Sequence, residues 1–222
     1  MLPDLPQTEA AIVEMTNAFR KANTLQAVKP NTALAAAARA FAEYLAKTGK
    51  FAHEADGRTP AERTQAQGYR YCLVAENLGW NLNSRGFESR QLAREVVEGW
   101  KTSPDHRENL LLPGATEIGV AVVRVPDKNP KFLSVQLFGR PESLKVTFSI
   151  QNLSGRAVRY DHGAEADMLQ PRETVSHADC DPRHLSFDRS GEAPARFNPR
   201  DGDRFVIRSG SDRAIQVDVE RK

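Results

Sequence analysis

The sequence predicts an α+β protein: an α-β-α sandwich over residues 1–140, followed by a small all-β sandwich or barrel over residues 141–222. Three observations predict it. The first part carries apolar residues at helical spacing within Ala-rich runs. Two β-branched segments, 118–125 and 132–139, carry bulky residues on both faces, as a sheet held between two helical layers requires. After Arg140-Pro141 the helical pattern vanishes, and short alternating runs separated by turn residues take its place.

Composition narrows the function classes. The chain has 222 residues, enough for one large domain or two small ones. Its net charge is only +2, and no cationic run or basic stripe with interleaved aromatics appears, so nucleic acid is not an expected partner. No apolar run reaches the ~20 residues that span a bilayer. Met1-Leu2-Pro3-Asp4 shows no signal peptide and reads as the start of a mature sequence whose export signal has been removed. There are two cysteines, Cys72 and Cys180, which is not the pattern of a disulfide-dense scaffold. Spacing leaves open whether they pair or stand as separate thiols.

Taken in order, residues 8–23 read as a helix capped by Thr8, with Ile12, Met15 and Phe19 on its apolar face. Lys29-Pro30-Asn31 reads as a turn. Asn31 caps a second helix over 32–48, with Leu34, Ala38, Phe41 and Leu45 as its stripe and Gly49 at its C-terminus. Thr59-Pro60-Ala61-Glu62 opens a short helix with a capping box. Residues 69–80 read as a buried strand carrying Glu76, whose carboxylate must find a partner because an unpaired buried charge is very costly. A further helix starts at Ser89 and points Leu92, Val96 or Val97, and Trp100 at the core. Ser103-Pro104 starts another helical turn, Ser103 as cap, with His106 in its first turn. The helix dipole there disfavours a protonated imidazole, and neutral His is the form that ligates a metal or accepts a proton. In the second part the strands read from sequence are 145–150, 157–160, 204–208 and 214–219.

Four segments between Lys50 and Gly139 place polar groups among apolar ones: Phe51-Ala52-His53, Ala75-Glu76-Asn77-Leu78-Gly79, Trp100 to Leu110 with its Ser103-Pro104-Asp105-His106-Arg107 core, and Val135-Gln136-Leu137-Phe138-Gly139. Their order and pattern resemble the CAP superfamily of cysteine-rich secretory, antigen 5 and pathogenesis-related proteins, in its bacterial branch, over roughly residues 8–140. The resemblance implies the α-β-α sandwich and a cleft lined by two His and two acidic residues. His53, Glu76 and His106 match three of those positions. The fourth, often Glu three residues after the Trp, is Ser103 here, which removes one acid from the set.

The expected site is therefore a cleft in which His53 and His106 hold a divalent metal such as zinc, with Glu76 as the candidate catalytic group and Asn77, Ser103 and Arg107 lining it. Ser103 near His106 also invites a nucleophile reading, but helix cap is the plainer role. The reading is an exported, periplasmic or extracellular protein that binds an ion or small polar ligand without assigned activity. A lipid or envelope component is another expected partner, and the β domain is expected to take a protein partner or pack on the first. The alternatives are a metal-dependent hydrolase of peptide or envelope polymer with Glu76 as base, and an extracellular interaction module with an empty cleft. In the second part, His177, Cys180 and His184, with His162 upstream, form a His-Cys-His set able to bind zinc or copper, though its spacing fits no strong ligand signature.

Overall fold

The computed structural model describes residues 1–180, 183–189, 193–210 and 214–221. Its first helix, α1 (Leu5–Ala22), starts a turn earlier than expected. Asp4, not Thr8, is the cap: its carboxylate accepts the Gln7 N–H at 2.7 Å, and a proline fills the first turn, where a missing N–H costs nothing. Thr8 is instead buried and donates its hydroxyl to the Asp4 carbonyl at 2.7 Å. Lys29–Pro30 is not a turn but a two-residue strand, β1, paired in parallel with Glu117 and Ile118. A proline suits that outermost position because it has no N–H to give.

The second helix, α2 (Thr32–Thr48), follows the sequence closely. Asn31 caps it by accepting from Ala33 and Leu34, Gly49 closes it in the left-handed region, and Leu34, Ala38, Phe41 and Leu45 are buried. The short α3 (Pro60–Ala66) carries the expected capping box, Thr59 and Glu62 each satisfying the other's backbone N–H. Then come β2 (Tyr71–Leu82), α4 (Ser89–Thr102), α5 (Pro104–Leu110), β3 (Glu117–Val125) and β4 (Lys131–Pro141).

These strands make one sheet in the order β1-β3-β4-β2, so β2 is an edge. Ile118, Val120, Val122, Phe132 and Phe138 pack on one side against Ile12, Leu92, Val97 and Trp100 from α1 and α4. The alternate residues Ala121, Val123, Leu133, Val135 and Leu137 pack on the other against Leu34, Ala38, Phe41 and Leu45 of α2. Period-two alternation with both faces apolar is what a doubly covered sheet demands. The fit is close at Gly119, where an added Cβ would lie 2.2 Å from the Leu34 carbonyl carbon, so α2 rests directly on the β3 backbone.

The chain divides into two compact units, Met1–Ser143 and Leu144–Lys222. The few residues after β4 stay with the first unit: Glu142 N–H bonds to the Arg70 carbonyl, and the two side chains pair at 2.8 Å.

The second unit is all β. Its strands are β5 (Val146–Asn152), β6 (Val158–His162), β7 (Glu165–Leu169), β8 (Thr174–Asp179), β9 (Leu185–Phe187), β10 (Ala195–Phe197), β11 (Arg204–Ser209) and β12 (Ile215–Glu220). They form two four-stranded sheets, β10-β9-β6-β7 and β12-β11-β5-β8, around a core that includes Phe148, Ile150, Tyr160, Leu185, Phe187, Phe205 and Ile207. The sequence pointed to four strands near β5, β6, β11 and β12. It missed the other four because β7 buries only Leu169, β8 buries no residue fully, and β9 and β10 are three residues each.

Candidate functional site

The site grows from the edge strand. Adjacent strand residues point to opposite faces, so Glu76 and its neighbour Asn77 part company. Glu76 turns toward the α2–α3 side, where its side chain is 1% exposed. The partner its burial demands is Arg63 of α3, which reaches both carboxylate oxygens at 3.0 and 2.8 Å. Arg63 also donates to Asp56 Oδ1 (2.9 Å), the Arg58 carbonyl (2.7 Å) and the His53 carbonyl (2.8 Å), and its guanidinium lies 3.5 Å above the Phe41 ring. One buried arginine thus holds the loop, the carboxylate and the helix together.

His53 completes the group. Its Nδ1 lies 2.8 Å from Glu76 Oε1, while the side chain is 53% exposed. Because Glu76 faces a buried guanidinium and accepts only, Nδ1 carries the proton and Nε2 is the free nitrogen. The hydrogen bond to Glu76 holds the His53 pKa above the ordinary histidine value.

His106, in the first turn of α5, behaves oppositely. Burial lowers its pKa first, and the charge of His53 lowers it further. Desolvation, and not the helix terminus, is thus the chief influence that disfavours the protonated form of this ring. Ser103 occupies the cap position of α5 with Pro104 after it, as expected, but its side chain makes no cap bond. His106 and Ser103 line a cleft of about 290 Å³ along the edge of β2, together with Phe51, Leu78, Trp80 and Trp100.

Of the expected site residues, Ser103 and His106 line this cleft; His53 and Glu76 belong to the cluster around Arg63, and Asn77 and Arg107 stand elsewhere. Asn77 is fully buried and structural. Its side-chain N–H₂ donates to the His106 carbonyl (3.2 Å) and to Gln136 (3.0 Å), and its oxygen accepts from Asn109 (2.9 Å). It ties α5 to the sheet rather than facing a ligand. Arg107 lies with its guanidinium 5.0 Å from the Phe19 ring of α1. Sequence reasoning also missed Arg63. The only signal for it was the demand of a buried carboxylate for some cation, and nothing in a short capped helix says which residue answers.

Among the described residues no group of three His, Cys, Asp or Glu is arranged to hold a metal. The Glu76 carboxylate is itself engaged by Arg63 and His53.

The set expected in the second unit does not assemble. Cys72 and Cys180 are both half-cystines, so Cys180 is not a thiolate ligand. His184 bonds to Asn198 at 2.5 Å. His162 is buried beside Asp179 (2.6 Å), and its ring centre lies 4.7 Å from that of His177, which bonds to Tyr160 (3.2 Å).

Comparison with known proteins bears on the fold and family of the chain. The chain is 29% identical over 116 residues to the uncharacterized protein YkwD of Bacillus subtilis (strain 168), covering 52% of this chain and 42% of the relative. It therefore spans less than half the length of that protein. An extracellular protein containing an SCP domain from Bacillus anthracis str. Ames is similar in structure, with a TM-score of 0.50, 25% identity, and coverage of 61% of this chain and 41% of the other. An outer surface protein of Borrelia burgdorferi shares the fold at a TM-score of 0.52 and 23% identity, covering 61% of this chain and 93% of that one. Residues 13–138, more than half of the chain, match the family model described as CAP: Cysteine-rich secretory protein family, and the chain belongs to that family.

Proposed function

We propose that the cleft beside β2 is a ligand-binding site, not a hydrolytic one, in which His53 and His106 hold a labile divalent ion such as zinc. The observation that supports this reading is the 2.8 Å contact between His53 Nδ1 and Glu76. A carboxylate that takes one ring nitrogen fixes the tautomer and leaves the other nitrogen as a donor, the usual support behind a metal-binding histidine. Burial disfavours the protonated form of His106, and the neutral ring is the form that donates to an ion. Bound there, the ion supplies an electrophilic anchor for a small polar ligand. His53 and His106 orient it, and Ser103 adds a hydroxyl to the wall.

The hydrolase alternative loses its base in this arrangement. Glu76 is buried and committed to Arg63, so it has neither access to a substrate proton nor freedom to move toward one. Export fits the same picture. Two half-cystines belong in an oxidising compartment, and the Bacillus anthracis and Borrelia proteins are described as extracellular and outer-surface.

Thermal melts with Zn²⁺ and with chelator test the proposal. An ion that binds only the folded state adds roughly 2.7 kcal/mol at a hundredfold excess over its dissociation constant. His53→Ala and His106→Ala are each expected to abolish that increment. A wild-type melt indifferent to every divalent ion tried overturns the ion reading.

A further inference from the structure

We propose that the cleft also carries a glycan-stacking platform, formed by Trp80 and Phe51, that takes a β-linked pyranoside chain. The proposal rests on reading the cleft as a ligand site. Trp80 is 54% and Phe51 48% exposed, and both line the same cleft as His106. Ligand sites are lined by apolar and aromatic side chains, and two half-exposed rings border this cleft. Lys131 lies 5.1 Å from the centre of the Trp80 ring, so its cation sits over the indole. Ser103, His106, Asn81 and Glu95 line the same cleft, so hydroxyl partners stand beside the aromatic faces.

Other occupants fit less well. An extended peptide binds a sheet edge by pairing with its free backbone groups. Here the Leu78 carbonyl already accepts from Trp100 Nε1 (3.0 Å) and the Glu76 carbonyl from Asn109 (3.1 Å), so the edge is partly closed to strand addition. A lipid tail needs an enclosed apolar cavity, and about 290 Å³ open along a strand edge does not enclose one. A β-linked sugar ring has a flat face of C–H groups and a rim of hydroxyls. The electron-rich face of an indole or phenyl ring attracts the C–H face, and the polar residues meet the rim.

Fluorescence gives a direct test, because the chain has two tryptophans, both lining the cleft, and Trp80→Ala isolates the signal of the buried Trp100. Cellotetraose and the tetramer of β-1,4-linked N-acetylglucosamine are titrated into the full chain. At least one is expected to shift the Trp80 emission saturably, and calorimetry with Trp80→Ala is expected to show binding weakened about tenfold, the scale of one lost aromatic contact. Phe51→Ala is expected to weaken it several-fold, with Trp80→Phe in between and all three variants melting like the wild type. No response to either sugar at millimolar concentration, equal binding by Trp80→Ala, or saturation by an extended peptide alone overturns the proposal. Repeating the titration in chelator separates it from the ion reading. Sugar binding that persists without any ion effect on the melt leaves the platform standing and removes the ion, and ion stabilisation without sugar binding does the reverse.

Discussion

His53 Nδ1 stands 2.8 Å from a Glu76 carboxylate that Arg63 also holds, at 2.8 and 3.0 Å, so the half-exposed histidine is oriented by a buried ion pair. Glu76→Gln tests that relationship. It removes the charge that holds the His53 proton, so the His53 ring is expected to titrate at lower pH than in the wild type, as NMR of the ring resonances would read. It also leaves Arg63 buried with Asp56 as its remaining counter-ion. Breaking a buried pair costs roughly 3–5 kcal/mol, and the remaining aspartate places the expected loss toward the lower end. An unchanged His53 titration would sink the orienting role.

The two imidazoles give stability opposite pH dependences. His53 has a raised folded pKa, so its contribution is full below the unfolded value of ~6.5 and is lost as pH rises through the folded value. His106 has a lowered one, so its contribution is full above ~6.5 and is lost as pH falls toward the folded value. Ion binding needs both rings neutral, and His53 is the harder to deprotonate. Zinc affinity measured by calorimetry is therefore expected to start falling at a pH above ~6.5, and in Glu76→Gln the fall is expected to begin at lower pH. Identical profiles for the two proteins would detach His53 from the ion.

Much of the first unit was legible because its signals are local. The Asn31 cap, the Thr59–Glu62 capping box, the α2 stripe and the β3–β4 hairpin are each set by residues a few positions apart. The errors came where a distant or neighbouring group decided the outcome. Asp4 took the cap from Thr8 because a better acceptor stood one turn upstream. Lys29–Pro30 became a strand because β3 was there to pair with it. In the site, reading Glu76 and Asn77 as one motif hid that strand parity sends them to opposite faces, and Arg63 reached Glu76 only through tertiary packing of α3 on β2. In the second unit, half-polar and three-residue strands carry too little pattern to be seen before their partners are known.

Gly119→Ala tests the contact between α2 and the sheet. The new Cβ would stand 2.2 Å from Leu34 backbone, which cannot swing aside as a side chain can. Overpacking of a core costs typically ~1–3 kcal/mol, and a backbone obstacle places this substitution at the upper end or beyond. Urea unfolding is expected to show a lower midpoint with an unchanged slope. Wild-type stability would mean that α2 does not sit on β3 as described.

Asn77→Ala is expected to damage the cleft from behind. Asn77 is wholly buried and makes three hydrogen bonds: to the His106 carbonyl at 3.2 Å, to Gln136 at 3.0 Å, and from Asn109 at 2.9 Å. Gln136 also donates to Thr16 at 3.0 Å and Asn109 to the Glu76 carbonyl at 3.1 Å, so the network joins α1, β2, β4 and α5. Alanine leaves buried polar groups without partners, at roughly 1–3 kcal/mol for each one that water cannot reach. The first turn of α5 then loses its tie to the strand, and the His106 ring loses its fixed place. Two measurements separate this from a general loss of stability. Under conditions where the variant is still fully folded, the NMR resonances of residues 103–110 are expected to shift or broaden while those of α2 remain in place. The stabilisation by Zn²⁺ is expected to shrink although both histidines are intact. A variant that keeps its α5 resonances and its full zinc response would show that Asn77 supports the sheet alone and that His106 is positioned by the helix itself.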